Sequence, residues 1–500
     1  MTPFATFIGR VFGLNPKVRP YLLEARASGF TIGFTITLAV FMDIFLYGVI
    51  VPIAPFALAE RMGVPEDRVQ KDVSISVLVY AAGLLAGSPV FGYLCDTYHN
   101  RRLFMMIGLV ALAGATLILC LTRCLWLFIV GRLVQGVSAA SVWTVGLALV
   151  SDSFSEEHIG KMMGIIGTGM SLGTFLGPFL GGIVYDRAGY YAVFGVCFGI
   201  IAVDIFLRFF MLEKKDLYRF QSESAVADNE SNVDESNVAD RVTDKDASDQ
   251  STSAPQSKVP AVIRLLGNKR MLNGLFLTII IGWVLTGLET TLPLRAEDIF
   301  DFSSLGTGML FLPIAITSFL GPLAGWWTDR CGARWPLATG FFFSTPFLII
   351  LRLPEDNRTS QIVLMFALLS LLGLSASLLI PSVMAEISVI VFDAEAKQPG
   401  IFGKHSAYGQ AFALFNLAYS AGSVFGPLEA GFVADADGFG TMAWSLGIIS
   451  FVASVLAILF TGGYLFNRKG DDNVTQQQQQ QQQEESEIAV VAEEEKGVSV

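Results

Sequence analysis

Residues 92–102 read GYLCDTYHNRR, and residues 325–334 read GWWTDRCGAR. A glycine, an aspartate and an arginine recur in these two stretches at a constant offset of 233: Gly92, Asp96 and Arg101, then Gly325, Asp329 and Arg334. Each stretch ends an apolar run that is long enough to form a membrane-spanning helix. The recurrence predicts a chain that is built from two equivalent halves.

The two aspartates are predicted to end helices, where a negative charge opposes the helix dipole. Asp96 and Asp329 therefore need arginine neighbours or the N-terminus of another helix. We interpret both stretches, including Arg102, as a latch that holds one conformational state at the cytoplasmic face. The alternative is a generic basic turn between two spans, which we disfavour because the pattern occurs twice.

The composition indicates a membrane protein. The 500 residues are 53 % hydrophobic and 15 % charged, against roughly 25 % charged in an average soluble domain. An ordinary soluble enzyme is thereby excluded, and an all-α, polytopic membrane protein is favoured. Twelve apolar runs of spanning length occur: 30–52, 73–95, 103–122, 125–150, 163–185, 191–212, 271–294, 305–328, 335–353, 361–391, 405–434 and 440–466. We therefore predict two six-helix bundles, over residues 30–212 and 271–466.

Two polar segments hold the acidity of the chain, whose formal net charge is −11. Residues 213–258 sum to −5 and residues 470–500 sum to −7, so the rest of the chain sums to about +1. Low hydrophobicity, high charge and a run of eight glutamines are typical of disordered chain. We predict a disordered linker over 213–270 and a disordered tail over 467–500.

The lysines and arginines predict the orientation. If residues 1–29, the linker and the tail are cytoplasmic, the inside segments hold 23 of these residues and the outside loops hold 8. Basic residues accumulate on the cytoplasmic side of membrane proteins. Both termini are therefore expected in the cytoplasm. The sequon that begins at Asn357 then lies outside, where it can be glycosylated.

The fifth and eleventh spans carry matching patterns of glycine and proline, which we name the glycine seam. Its members are Gly169, Gly173, Gly177, Pro178, Gly181, Gly182, Gly422, Gly426 and Pro427. Glycines four residues apart line one face of a helix and let a neighbouring backbone approach closely. Because each proline removes one backbone hydrogen bond, it permits a bend. We interpret the seam as tight packing in a protein whose two halves rock.

Together these patterns resemble the major facilitator superfamily over about residues 30–466. The first latch stretch matches its short loop motif, and Arg132, Gln135 and Gly136 match its R-x-x-Q-G signature. The seam in the fifth span is similar to the motif of its drug:proton antiporters. The resemblance implies a transporter that works by alternating access, with Arg132 linked to proton coupling. It also implies that Asp152 and Glu386 are further latch acids.

Ionisable groups at membrane depth are costly, by about 2.5–3.5 kcal/mol on insertion scales, and are therefore functional candidates. Asp43 lies in the first span and Glu289 in the seventh, which are equivalent elements of the two halves. We expect the two carboxylates to face each other across a central cavity and to bind a cation or a proton. The alternative is that either one lies near a helix end and is merely solvated. Asp204 and Arg208 are one turn apart and are interpreted as a self-neutralising pair.

The surroundings of Asp43 and Glu289 look like those of the vesicular amine transporter branch and its fungal multidrug relatives. Animal members of that branch carry acids in the tenth and eleventh spans, where this chain has Ala376 and Asn416. This departure weakens a monoamine-specific interpretation. We group Asn416 with Asp43, Glu289 and Arg132 as candidate residues for substrate binding or proton coupling.

The main functional hypothesis is proton-coupled export of a drug, toxin or secondary metabolite across the plasma membrane. Import of amines into vacuoles or vesicles and an organic-acid carrier, in which Arg132 would serve the anion, are the alternatives. A nutrient sensor is disfavoured because the tail is short. No phosphate loop, nucleophile elbow or metal cluster occurs in the sequence, so we expect no enzymatic activity, cofactor, metal or nucleic acid. The expected partners are an organic solute, protons and lipid, and the expected state is a monomer.

Overall fold

A computed structural model describes residues 20–98, 100–214, 217, 260–302, 309–398, 400–402 and 407–463. These residues are almost entirely helical, and no strand occurs among them. Most of the predicted disordered linker and the whole glutamine-rich tail lie outside the described residues.

The first half contains six long helices, labelled here α1 to α6. Their bounds are α1 Gly29–Phe56, α2 Glu66–Tyr98, α3 Arg101–Leu121, α4 Leu125–Ser153, α5 Glu156–Ala188 and α6 Tyr190–Phe210. Two π-helical turns occur, at Ala57–Arg61 after α1 and at Val142–Gly146 inside α4. The helix α5 begins before the predicted residue 163 because its first turn is polar, and apolar runs do not reveal such turns.

The second half repeats this arrangement with α7 to α12. Their bounds are α7 Lys269–Phe300, α8 Leu312–Thr317 continued by Gly321–Cys331, α9 Arg334–Ile350, α10 Thr359–Lys397, α11 Tyr408–Asp437 and α12 Phe439–Phe460. Ten helices of the described chain are long and apolar enough to cross a membrane. The other two are α9, which has 17 residues, and α8, which a 3₁₀ turn at Ser318–Leu320 interrupts.

Helix packing follows the same pattern in the two halves. In the first half α1 packs on α5 and α2 on α4, and in the second half α7 packs on α11 and α8 on α10. The predicted all-α fold with two six-helix repeats is therefore the observed architecture. The packing pairs also show that the glycine seam lies inside each half, not between the halves.

The seam glycines of α5 sit directly on the backbone of α1. A Cβ at Gly173 would lie 2.7 Å from the Phe41 carbonyl oxygen, and a Cβ at Gly181 would lie 2.8 Å from that of Val49. A Cβ at Gly182 would have no atom of a neighbouring helix within 4 Å, so its predicted place in the seam is wrong. The reason is helical spacing, because Gly181 continues the four-residue repeat of Gly177 and Gly182 does not.

The second seam joins α11 to α7. A Cβ at Gly422 or Gly426 would overlap the carbonyl oxygen of Ile279 or Trp283 respectively. Backbones can approach this closely only because neither glycine carries a side chain.

The two halves meet through α2 with α11 and through α5 with α8. We name the end of the bundle that holds Asp96 and Asp329 the aspartate end; it is the end that the basic residues predict to be cytoplasmic. Backbones approach closely there, because a Cβ at Gly92 would lie 2.7 Å from the Gly409 carbonyl oxygen.

Each half also closes on itself at the aspartate end. A short helix, Leu23–Arg26, precedes α1, and Arg26 Nε donates to the Phe210 carbonyl at 2.6 Å. The Leu212 amide donates back to the Arg26 carbonyl at 3.1 Å. In the second half, the side chain of Asn273 on α7 donates to Thr461 after α12 at 3.1 Å.

Candidate functional site

A cavity lies between the halves, farther from the aspartate end than the close contact of α5 with α8. Helices α5, α7, α8, α10 and α11 line it. Most of the lining is apolar, and its polar side chains are Ser171, Thr174, Glu289, Ser318, Ser377 and Tyr419. A mainly apolar cavity with a few polar groups is the usual form of a small-molecule site.

Glu289 supplies the carboxylate of this cavity. Its neighbours Gly287 and Leu288 are buried, and the exposed Glu289 side chain lines the cavity. Within the described part of the chain, Glu289 has no hydrogen-bond or ion-pair partner. Tyr47 and Tyr419 lie within electrostatic range of it. The carboxylate is therefore open to a proton or a ligand.

Asp43 lies elsewhere. Its side chain is 1 % exposed, and Oδ2 accepts a hydrogen bond from Trp143 Nε1 at 3.1 Å. Its Oδ1 has no partner among the described residues. Asp43 is not part of the cavity lining, so the structure does not bring it face to face with Glu289 as the sequence predicted. The difference arises because α1 presents this residue to α4 inside its own half.

Arg132 lies between two aromatic rings. Its guanidinium carbon is 5.0 Å from the ring centre of Tyr47 and 5.1 Å from that of Tyr80, and it donates to Gln135 at 2.8 Å. The side chain is 1 % exposed, and among the described residues no carboxylate forms an ion pair with it. Cation–π contacts partly replace the lost hydration of a buried guanidinium. Arg132 is enclosed by these partners and does not line the cavity.

Asn416 lies in a contact between the halves, not in the cavity. Its amide donates to Thr144 Oγ1 at 3.1 Å and to Ser88 Oγ at 3.4 Å. Thr144 belongs to α4 and Ser88 to α2, whereas Asn416 belongs to α11. All three side chains are buried. These hydrogen bonds can form only when the two halves are in contact at Asn416.

Both latch aspartates bind the beginning of a helix from the opposite half. Asp96 accepts hydrogen bonds from the amides of Gly409 and Gln410 in α11, each at 2.9 Å. Asp329 accepts from the amides of Gly160 at 2.6 Å and Lys161 at 2.8 Å, near the start of α5. Gly409 and Gln410 lie in the first turn of α11, where amides lack intrahelical partners and carry partial positive charge, so the Asp96 carboxylate is well placed there. Gly160 and Lys161 lie one turn farther into α5.

Charged neighbours distinguish the two aspartates. Arg101 lies 2.8 Å from Asp152 and 3.7 Å from Asp96, so three buried or partly buried charges are linked in the first half. Arg334, the equivalent residue, donates to the Thr461 carbonyl at 2.7 Å.

Glu386 and Arg102 also have partners other than the latch aspartates. Glu386 pairs with Arg270 at 3.1 Å, and Arg270 pairs with Asp393 at 2.6 Å. The amide of Arg102 donates to Glu213 at 2.8 Å. Both residues therefore stabilise the aspartate end within their own half.

The self-neutralising pair of α6 is confirmed. Arg208 lies 2.8 Å from Asp204, both side chains are buried, and Arg208 also donates to the Met105 carbonyl at 2.6 Å. Neither residue lines the cavity. The described cysteines are free, and no group of metal-ligating residues occurs in the described ranges.

The glycine crossings of α5 with α8 were not predicted from the sequence. Gly164 packs on Gly321, and Gly160 packs on Gly325, with room for no Cβ at either crossing. Pro322 lacks an amide hydrogen and cannot bond the Ser318 carbonyl four residues back, and Thr168 Oγ1 donates to that carbonyl at 2.7 Å. The signal was a pair of glycines four residues apart in each helix.

A bundle of two similar helical halves, with a cavity between them and close helix contacts at the aspartate end, is the architecture of a membrane transporter. The sequence model of the Major Facilitator Superfamily matches residues 36–391 and again residues 309–489. The chain therefore belongs to the Major Facilitator Superfamily.

Similar proteins agree with this assignment. The chain is 35 % identical to an uncharacterized MFS-type transporter of Schizosaccharomyces pombe, over 87 % of this chain and 96 % of that protein. It is 29 % identical to the MFS-type transporter ppzB of Metarhizium rileyi, over 89 % and 97 %. The crystal structure of the human organic anion transporter MFSD10 superposes with a TM-score of 0.62 over 86 % of this chain and 99 % of that chain, at 18 % identity. The relatives are transporters, and this chain is a multi-pass membrane transporter, not an enzyme.

Proposed function

We propose that this protein is a proton-coupled antiporter that exports an organic solute such as a drug, toxin or secondary metabolite. The observation that supports this function is Glu289, a carboxylate without a partner among the described residues, in an apolar cavity between the halves. An apolar lining disfavours the charged form of a carboxylate unless a cation accompanies it. A proton and a solute that occupies the cavity therefore compete for Glu289, and competition for one site is the requirement for exchange.

The lining of the cavity favours an organic solute. Phe175, Phe311 and Tyr419 provide aromatic surface, and Ser171 and Ser377 provide hydroxyl groups. Such a lining selects by shape and apolar contact more than by a fixed set of hydrogen bonds.

Alternating access requires that the aspartate end opens and closes. In the observed state this end is closed by the hydrogen bonds of Asp96, from α2, to α11 and of Asp329, from α8, to α5, and the cavity lies beyond these contacts. Opening separates these carboxylates from the helix starts and exposes both to water. Asp43, Arg132 and Asn416 would then act around the cavity, as groups that transmit proton binding to the contact between the halves.

Import of amines into a vacuole or vesicle is a second candidate. The chain is 24 % identical to a probable vesicular acetylcholine transporter-B of Danio rerio over 83 % of its length and 76 % of that protein. Competition between a proton and the solute for Glu289 would also drive this import. Export and import then differ only in the membrane that holds the protein. A carrier for organic acids has less support, because Glu289 lines the cavity and Arg132 does not.

Proton flux in proteoliposomes tests the proposed function even while the solute is unidentified. Vesicles that contain the protein and a pH-sensitive dye receive a panel of aromatic amines, neutral aromatics and carboxylic acids. We expect amines or neutral compounds to drive proton movement in the opposite direction, and protein-free vesicles to show none. Solute uptake without any proton movement would overturn the antiport proposal.

The predicted orientation can be tested by glycosylation. Asn357 is exposed between α9 and α10, and its side chain donates to the Phe300 carbonyl at 3.3 Å. We expect Asn357→Gln to remove a glycosidase-sensitive shift on a gel, and Asn229→Gln to leave that shift unchanged. A glycan on Asn229 instead would show that the linker is outside and the orientation inverted. A fluorescent tag separates the plasma membrane from a vacuolar rim.

A further inference from the structure

The π turn Val142–Gly146 in α4 holds two neighbouring side chains that point to different halves of the protein. Trp143 donates to Asp43 on α1, in the same half, at 3.1 Å. Thr144 accepts a hydrogen bond from Asn416 on α11, in the opposite half, at 3.1 Å. One turn of helix thus contacts both a candidate proton-binding group and the contact between the halves.

A π turn is a strained and rare form of helix that holds one extra residue. Conversion of the turn to the ordinary α-helical form would rotate its residues relative to their neighbours. Because Trp143 and Thr144 are adjacent, such a rotation would move both side chains together. An element with two such forms is what physical coupling between two sites requires.

The surroundings of Asp43 make the Trp143 bond sensitive to its charge. Asp204 and Arg208 on α6 lie within electrostatic range, but they form their own ion pair at 2.8 Å. Tyr80 on α2 is also within range. Among the described residues, the indole of Trp143 is therefore the one direct hydrogen-bond donor to Asp43, and Oδ1 is left free.

We propose that the π turn of α4 is the positioning element that couples protonation of Asp43 to opening of the aspartate end. This inference rests on the proposed function, because it takes Asp43 as a proton-binding group. A hydrogen bond to a charged carboxylate is roughly twice as strong as one between neutral groups. Protonation of Asp43 weakens the bond to Trp143, the turn moves, and Thr144 releases Asn416.

The direction agrees with export. A proton that enters from the open side neutralises Asp43, and loss of the Asn416 contact lets the aspartate end open toward the side from which solute is collected. Release of that proton restores the Trp143 bond and the contact. Trp143 and Thr144 transmit this change and neither lines the cavity.

Spin labels at the two halves measure the opening directly. One label replaces Tyr98, which is exposed at the end of α2, and the other sits on the exposed native Cys331 at the end of α8, with the remaining four cysteines changed to alanine. We expect the wild-type distance to increase as the pH falls. Trp143→Phe retains an aromatic ring and removes the indole N–H. In this variant we expect an open population about tenfold larger than in the wild type at alkaline pH, and a label distance that depends little on pH.

Two further substitutions separate coupling from damage to the fold. Thr144→Val removes the hydroxyl that Asn416 binds and is expected to reproduce the Trp143→Phe result, whereas Thr144→Ser retains the hydroxyl and the wild-type response. Trp283→Phe is the matched control, because Trp283 also donates to a carboxylate, Glu429 at 3.4 Å, but contacts no residue of the other half through it. That control should keep the wild-type dependence on pH.

Combination with Asp43→Asn distinguishes the two proposals. We expect the double variant Asp43→Asn with Trp143→Phe to show the same label distances as Asp43→Asn alone. Asp43→Asn removes the proton-binding group, and Trp143→Phe removes the hydrogen bond that connects this group to the π turn. If Asp43→Asn abolishes the pH response but Trp143→Phe and Thr144→Val retain it, the coupling role of the π turn is wrong and the antiport proposal survives. If the aspartate end of Asp43→Asn opens and closes with pH as in the wild type, Asp43 is not the group whose protonation controls the opening.

Discussion

Gly325→Ala is expected to prevent closure of the aspartate end and to reduce transport by about 100-fold. A Cβ at this position would overlap the Gly160 carbonyl oxygen and the Lys161 backbone, which cannot move aside as a flexible side chain can. Overpacking of this kind costs about 1–3 kcal/mol, and here the cost falls only on the closed state. The distance between labels on Tyr98→Cys and Cys331 should therefore be long at every pH, while solute-driven proton flux is lost.

Matched glycines separate this effect from a general change in the helix. Gly164→Ala should act in the same way, because its Cβ would overlap the Gly321 carbonyl oxygen. A Cβ at Gly199 in α6 would have no atom within 4 Å. The Gly199→Ala variant should therefore transport like the wild type, with a small gain in helix stability. Wild-type transport by Gly325→Ala would show that the observed contact of α5 with α8 is not part of the cycle.

Glu289→Gln is expected to abolish solute-driven proton flux, with a loss of at least about 100-fold. Glutamine has nearly the same volume, so the cavity keeps its shape, but the amide can neither take up a proton nor neutralise a cation. The remaining solute binding should become independent of pH. The measurement is dye-reported proton flux in proteoliposomes, together with the quenching of aromatic fluorescence by the active solute at several pH values.

Glu429→Gln provides the control for a second carboxylate within the membrane. Glu429 accepts hydrogen bonds from Trp283 and from Ser445, at 3.4 Å and 2.5 Å, and does not line the cavity. Its proton flux should stay close to that of the wild type. Unchanged flux in Glu289→Gln would remove the observation on which the proposed antiport depends.

The sequence predicted the fold because the relevant signals are local. Apolar runs and the offset of 233 between the latch stretches yield two equivalent six-helix halves. The dipole argument also predicted that Asp96 needs a helix N-terminus, and α11 supplies one through Gly409 and Gln410. It did not predict which helix, because that partner is more than 300 residues away in the chain.

The parts that sequence could not predict depend on rotation about helix axes. A difference of one residue moves a side chain by about 100° around a helix, which separates Gly181 from Gly182 and the cavity from the interior of a half. Asp43 and Glu289 occupy equivalent spans, yet Glu289 reaches the cavity and Asp43 faces Trp143. The π turn that holds Trp143 has no pattern in composition that marks it.

The closure of each half at the aspartate end means that its first and last residues are neighbours. Arg26 and Leu212 are hydrogen-bonded at one end of the first half, and Asn273 and Thr461 are bonded at the same end of the second. Each half is thus a self-contained ring of helices, so two separate polypeptides divided between residues 214 and 260 could assemble into the same transporter. We expect the covalent join between the halves to tolerate changes of length and composition, because the hydrogen bonds that close each half do not involve it.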